Sequence, residues 1–531
     1  MSIKKSLESS FSLTFALYAA FFISFVYSII LVRVVSVEVM GMIGMGGTFI
    51  EIAILISTLG SISIIQTYTT YYLSRKEYGH LKYILKKSTM ISLSIAGTIS
   101  LITFMFSREI SQMLYNTDIM DLPLKIVAIL LLVNILVKIL DTVIRASKQF
   151  KLYGTIQTMS TALNLLLTLS FIYVIMRYVS SDDDIIVAGS FLASICVALC
   201  CIALIIIKNK DRIKKLKSVD SATPTQEKIL KFGASTASLE LISMWGVYIN
   251  ALAVGYFLPP EEWGYYTIAV LIMSVVTVFK TVLNVIAYPA LVDAHSRNDM
   301  KEFGLTIHIM FKYWSMFFIP LVVTLVLFIP YALPVIWGPA YEKSILITQI
   351  MLVGFVVQYY ISIYSSALTA IEKPHMQFVP TIINVSMYII LGMTMVYYFG
   401  ILGAAVTVLV SNVVSFFITR HYFIREQPEG GETGRRKFIL GLLKVLVVEL
   451  AIIIALFIPA WYAIEMFTNL NIQFILALLS GIVISLVSIS YVFGRRRFSD
   501  DETNRMFDMF PRTLRPLLDL GRKVSVRIWR G

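Results

Sequence analysis

Several ionisable side chains fall inside stretches apolar enough to cross a bilayer. Lys280 interrupts VVTVFKTVLNVIAYPAL and is followed by Asn284 and Tyr288 at successive four-residue steps. Glu51 is spaced from Thr48, Thr58 and Gln66 as residues of one helix face are, and Glu240 lies between Thr236 and Ser243. Asn134, Lys138, Asp141 and Arg145 follow one another at three- and four-residue steps. At 3.6 residues per turn, each set forms a polar stripe. In a wet cavity a lysine can hold an anion, a carboxylate can take up H+ or Na+, and amide or phenol groups can bond phosphate or sugar oxygens.

Each residue also has a plainer reading. Lys138, Asp141 and Arg145 approach a helix end and could reach the interface and pair with one another. Arg33 closes the first apolar stretch and could anchor it at the outer interface. Glu51 and Glu240 could be buried partners of a basic residue. Lys280 resists such readings. It lies roughly 24 Å along a helix that rises 1.5 Å per residue, and a central ammonium costs about 2.5–3.5 kcal/mol to insert.

Soluble-enzyme chemistry is missing from the sequence. There is no GxxxxGK[ST] phosphate loop, no HExxH and no CxxC. Cys196, Cys200 and Cys201 share one apolar segment and read as packing residues. GMIGMGG at 41–47 has no preceding strand, so it reads as a loosened start to a helix and not as a dinucleotide fingerprint. SDDD at 181–184 reads as a solvated loop, and PEGGETG at 428–434 as a flexible linker. No cofactor is implied.

The elements that must position these residues are membrane helices. The 531 residues are 58% hydrophobic and 15% charged, against about 25% charged in a soluble protein. Fourteen stretches reach the length of a span: near 12–32, 43–72, 81–106, 122–145, 153–177, 185–207, 228–257, 264–290, 303–329, 343–370, 376–399, 401–424, 437–464 and 472–493. The first lacks a small-residue cleavage site and reads as a retained helix. Basic loops such as SRKEYGHLKYILKK and KNKDRIKKLK alternate with neutral or acidic ones such as SVEVMG, SDDDI and LPPEEWG. The positive-inside rule then puts both termini in the cytoplasm of a multi-pass cell-membrane protein. It also accounts for the net charge of +13 without nucleic acid.

The chain repeats itself. VVSVEVMG precedes the second span and YFLPPEEWG the eighth, while Glu77 and Glu302, and Lys148 and Lys373, share an offset of 225 residues. Two six-helix lobes, 1–207 and 228–424, are expected as a parallel repeat with a site between them near the midplane. A cytoplasmic linker, 208–227, joins them. Two helices within 437–493 have no counterpart, and a basic cytoplasmic tail, 494–531, follows. That tail either lies on an anionic leaflet or is simply solvated. The expected class is therefore an all-α integral membrane protein of 14 helices.

The stretch from LVRVVSVEVMG to SRKEYG resembles the first helical hairpin of polysaccharide-type flippases of the multidrug/oligosaccharidyl-lipid/polysaccharide exporter superfamily. VIAYPALVDAHSRNDMKEFG, WGPAYEKSILITQIM and FGILGAAVTVLVSN resemble its second-lobe landmarks in the same order. The resemblance implies alternating access to a cavity between lobes, with a lipid-linked oligosaccharide as cargo. It implies membrane lipids and the enzymes that assemble the glycan as partners, and H+ or Na+ as a coupling ion. Lys280, Asn284, Tyr288, Glu51, Glu240, Lys138 and Arg33 are then the substrate-site candidates. An ion-coupled multidrug antiporter that uses Glu51 and Glu240 remains open. A polyprenyl-dependent glycosyltransferase needs an acidic outer loop larger than SDDD. For the topology, a Cys in Asp183→Cys should react with an impermeant thiol reagent from outside, and one in Lys215→Cys only after permeabilisation; the reverse pattern would overturn the orientation.

Overall fold

Backbone N–H and C=O groups find no partners in hydrocarbon, so a spanning chain must satisfy them within helices or closed barrels. The computed structural model takes the helical solution. It describes residues 3–210, 248–426 and 454–494 apart from 59, 148, 181, 298, 372 and 468, together with positions 242, 246 and 451, and contains no strand among them.

The helices are α1 (Ile3–Val34), α2 (Val37–Thr58), α3 (Ser61–Arg75), α4 (Tyr78–Met105), α5 (Ser107–Tyr115), α6 (Asp121–Ala146), α7 (Phe150–Tyr178) and α8 (Asp183–Lys208). There follow α9 (Tyr248–Phe257), α10 (Pro260–Ser296), α11 (Met300–Ile336), α12 (Ser344–Ala370), α13 (Phe378–Glu426), α14 (Ile454–Glu465) and α15 (Leu470–Gly494). Eight stretches of the described residues are long and apolar enough to cross a membrane. The expected spans at 228–257 and 437–464 lie partly outside the described residues, so the count of fourteen does too.

The repeat is visible in the order of elements. Helix α2 corresponds in sequence to α10, α4 to α11, α6 to α12, and α7 and α8 to the two arms of α13. The arms of α13 meet at Gly400, whose φ of 59° suits a residue without a Cβ. Two compact units are formed. One comprises Met1–Thr267 and Tyr388–Ala404, the other Ile268–Met387 and Ala405–Gly531. In the first, α1 packs on α7, and α6 packs on α4 and α8. In the second, α11 packs on α12 and on the appended α15.

Four features depart from the sequence reading. The second span is not one rod: Gly60, at φ 74°, separates α2 from α3, so Gln66 lies on a different helix from Thr48, Glu51 and Thr58. The expected single stripe is thereby broken. GMIGMGG does not loosen a helix start either, because all seven residues lie within α2. A Cβ at Gly46 would sit 2.5 Å from the Phe191 ring, and one at Gly44 would be 2.7 Å from Trp263 Nε1. These glycines admit neighbours where any side chain would collide. A short helix, α5, also follows α4. At its junction with α6, Arg108 donates to Asp118 at 3.0 Å and holds that carboxyl below the usual carboxylate range. The acidic SDDDI, read as a loop, supplies Asp183 and Asp184 to the first turn of α8, where carboxylates meet the positive end of the helix dipole.

Helix α11 carries Pro320, Pro330 and Pro334 in its interior. Pro330 has no N–H for the carbonyl four residues back, which belongs to Val326. Gln349 of α12 fills the gap, with Nε2 donating to the Val326 oxygen at 2.8 Å. Gln349→Leu should therefore destabilise the detergent-purified protein by about 1 kcal/mol, the cost of leaving a half-buried acceptor unpaired. An unchanged thermal or denaturant midpoint would contradict this account.

Candidate functional site

Glu51 lies on α2 between buried residues, Ile50 on one side and Ala53 and Ile54 on the other, yet its own side chain is exposed. In a membrane helix an exposed carboxylate marks a wet or ligand-lined face, because lipid tails would not tolerate it. Tyr248, at the start of α9, lies within electrostatic reach of Glu51. Glu51 and Tyr248 belong to the same compact unit.

Lys280 lies near the middle of α10, a helix of 37 residues. Asn284 and Tyr288 follow on the same helix one turn apart, so the expected spacing is kept. Tyr288 is exposed at 36%. The side chains of Lys280 and Asn284, and Glu240 as a whole, lie outside the described residues. Arg33 sits in the last turn of α1 and is exposed, in keeping with either of its readings.

The stripe on α6 differs from the plain expectation that its charges pair with one another. Asp141 is only 8% exposed. Its Oδ2 accepts from Gln157 Nε2 at 2.8 Å, and among the described residues no ion pair joins it to Lys138 or Arg145. Arg145 instead lies over the Tyr153 ring, 5.4 Å from its centroid, and donates to Thr142 Oγ1 at 3.3 Å. Lys138 is exposed. The Asp141–Gln157 bond ties α6 to α7, and Arg145 spends its charge on an aromatic face. Sequence spacing could place Asp141 on a face but not find a partner on the next helix.

Two further groups were not anticipated. Asn250 of α9 is 1% exposed and donates to the Ala404 carbonyl at 3.2 Å and to Tyr266 Oη at 3.4 Å. Its one signal in the sequence is a lone amide inside an apolar run. Within the second unit, a cavity of about 430 Å3 lies at the ends of α11 and α14 and the starts of α12 and α15. It is lined by Glu342, Glu465, Gln349, Gln473, Tyr331 and Trp461, with Tyr331 donating to Glu465 Oε1 at 3.2 Å. Among the described residues no cluster of His, Cys, Asp and Glu could hold a metal, and all three cysteines are free thiols.

The arrangement is shared with solved transporters. The chain is similar to the lipid II flippase MurJ in an inward closed conformation, with 15% identity and a TM-score of 0.66 over 90% of this chain and 98% of that one. It is similar to an inward-facing multidrug resistance MATE family transporter of the MOP superfamily, at 12% identity and a TM-score of 0.62 over 76% and 94% of the two chains. It is also similar to a MOP superfamily transporter from Pyrococcus furiosus, at 13% identity and a TM-score of 0.52 over 79% and 96%. At such identities the likeness establishes the fold. No curated protein matches the sequence. Residues 30–346, more than half of the chain, match the family described as Polysaccharide biosynthesis protein, and the chain belongs to that family.

Proposed function

We propose that this protein is a flippase that moves a polyprenyl-(pyro)phosphate-linked oligosaccharide from the cytoplasmic to the outer leaflet. The observation that carries the reading is membership of a polysaccharide biosynthesis family in a chain with a transporter fold. In this reading residues 1–207 and 228–424 are two six-helix lobes that give alternating access to a polar cavity. The linker 208–227, the appended helices within 437–493 and the tail 494–531 lie outside that repeat, and both termini are cytoplasmic.

The cargo has three chemical parts, and the chain offers each a different environment. The polyprenyl tail stays in lipid. The sugars need hydroxyl, amide and carboxylate partners, which Asn284, Tyr288 and Glu51 can supply. The anionic link needs a cation, and Lys280 takes that role, while Lys138 and Arg33 extend positive charge toward the two interfaces. Outward movement of an anion is downhill in an inside-negative membrane, by roughly 2.3 kcal/mol per charge per 100 mV. Nucleotide hydrolysis is therefore not needed for direction. A proton or sodium ion at Glu51 or Glu240 would bias the two lobe arrangements.

Lys280→Met should reach the membrane and fold yet lose flipping, and Lys280→Arg should retain part of it. If Lys280 were instead the structural partner of a buried carboxylate, Lys280→Met would destabilise the protein. Combining it with Glu51→Gln or Glu240→Gln would then restore both stability and transport, and such a restoration would end the anion-holding role. Glu51→Gln should slow transport with expression intact. Wild-type rates in both Glu51→Gln and Glu240→Gln would remove the carboxylates from the mechanism.

A further inference from the structure

The two motifs that reveal the repeat in the sequence meet in the structure. Helix α2 begins at Val37 and α10 at Pro260, and each carries a glycine four residues later, Gly41 and Gly264. Gly41 lies against the carbonyl of Pro260, and Gly264 lies against the carbonyl of Val37. Each glycine therefore touches the first residue of the opposite helix. A Cβ on Gly41 would run into the Pro260 oxygen and come within 2.9 Å of the Gly264 nitrogen; one on Gly264 would run into the Val37 oxygen and come within 2.7 Å of Val37 Cγ1. The obstacles include backbone, which cannot swing aside. Such reciprocity is the signature of a two-fold contact, in this case between two parts of one chain.

The contact is well sealed. Trp263, 2% exposed, lies over Gly44 and Gly255 and stands edge-on to the Tyr115 ring at 6.1 Å. Tyr115 Oη donates to the Met45 carbonyl at 2.9 Å, and the Met42 and Met45 side chains are fully buried. The central contact of the two helix starts is backbone against backbone.

We propose that Gly41 and Gly264 form the extracytoplasmic gate, the seam along which the two halves of the repeat part once in each transport cycle. The inference rests on the alternating-access reading above. A joint that must open and close repeatedly is served by a surface whose closest contact is backbone against backbone, where two smooth glycine faces can part and meet again. Glycine gives the closest approach, and the matched positions let each half bring the same small surface to the other. With a side chain at either position the seam cannot close fully, and the population moves toward the outward-open arrangement.

The test needs no cargo. Met45→Cys is made in a chain whose three native cysteines are serine, and its labelling by an impermeant thiol reagent added from outside is followed. Met45 is buried beneath the seam, so labelling should be slow with both glycines present. Adding Gly41→Ala or Gly264→Ala should speed it roughly tenfold, to similar extents for the two variants. Gly47→Ala, where a Cβ meets nothing within 4 Å, should leave the rate unchanged. Unchanged labelling in folded Gly41→Ala and Gly264→Ala proteins would overturn the gate. So would loss of folded protein in both, because that is the behaviour of a rigid packing contact that never opens. A carrier of some other cargo would still show the labelling pattern, so failure of the oligosaccharide reading and failure of the gate are separable.

Discussion

The structure depends first on the absence of water from the bilayer interior. Each backbone polar group there must be satisfied by the protein itself, and this decides where the chain can deviate from a helix. Gly400 and Gly60 sit at the permitted breaks because they adopt positive φ at little cost. Pro330 removes a backbone donor, and Gln349 restores one from the neighbouring helix. Asn412 of α13 similarly donates to the Gly354 carbonyl of α12 at 3.2 Å, where a Cβ on the glycine would stand 3.3 Å from Leu409 Cα. Small residues allow close helix approach, and side-chain amides then bond the backbone exposed by it.

The same scarcity of water gives meaning to the charged residues. An exposed Glu51 between buried apolar neighbours is tolerable only where water or cargo replaces lipid. Asp141 shows the other outcome. Its carboxylate is buried against Gln157, a helix-to-helix tie of a kind that needs no cargo to explain it. Intramembrane charge is therefore divided between residues that join helices and residues that face accessible space, and only the latter are candidates to touch a substrate.

Much of the fold was legible because span length and loop charge are strong, local signals. The ends of α6 and α12 fall where the apolar runs 122–145 and 343–370 end. The offset between Glu77 and Glu302 anticipated the matching order of elements from α2 to α8 and from α10 to α13. What was not legible depends on partners distant in sequence. Gly60 looks like any helix glycine until its left-handed φ is seen, and GMIGMGG reads as looseness until Trp263, Phe191 and Pro260 are found against it. The candidate site was legible as residue types on helix faces. Asn250 and Tyr248 were missed because an amide or a phenol in an apolar run carries no signal of what lies opposite.

The central claim is that the cargo is an anionic lipid-linked glycan. Its most direct test is translocation by the purified full-length protein in proteoliposomes with an inside-negative potential. A polyprenyl pyrophosphate oligosaccharide placed in the inner leaflet should become accessible to an external glycosidase, at a rate that falls when the potential is collapsed and does not depend on nucleotide. Failure to move that lipid, together with ion-dependent efflux of cationic compounds from the same vesicles, would contradict the account and make the protein a drug antiporter on the same fold.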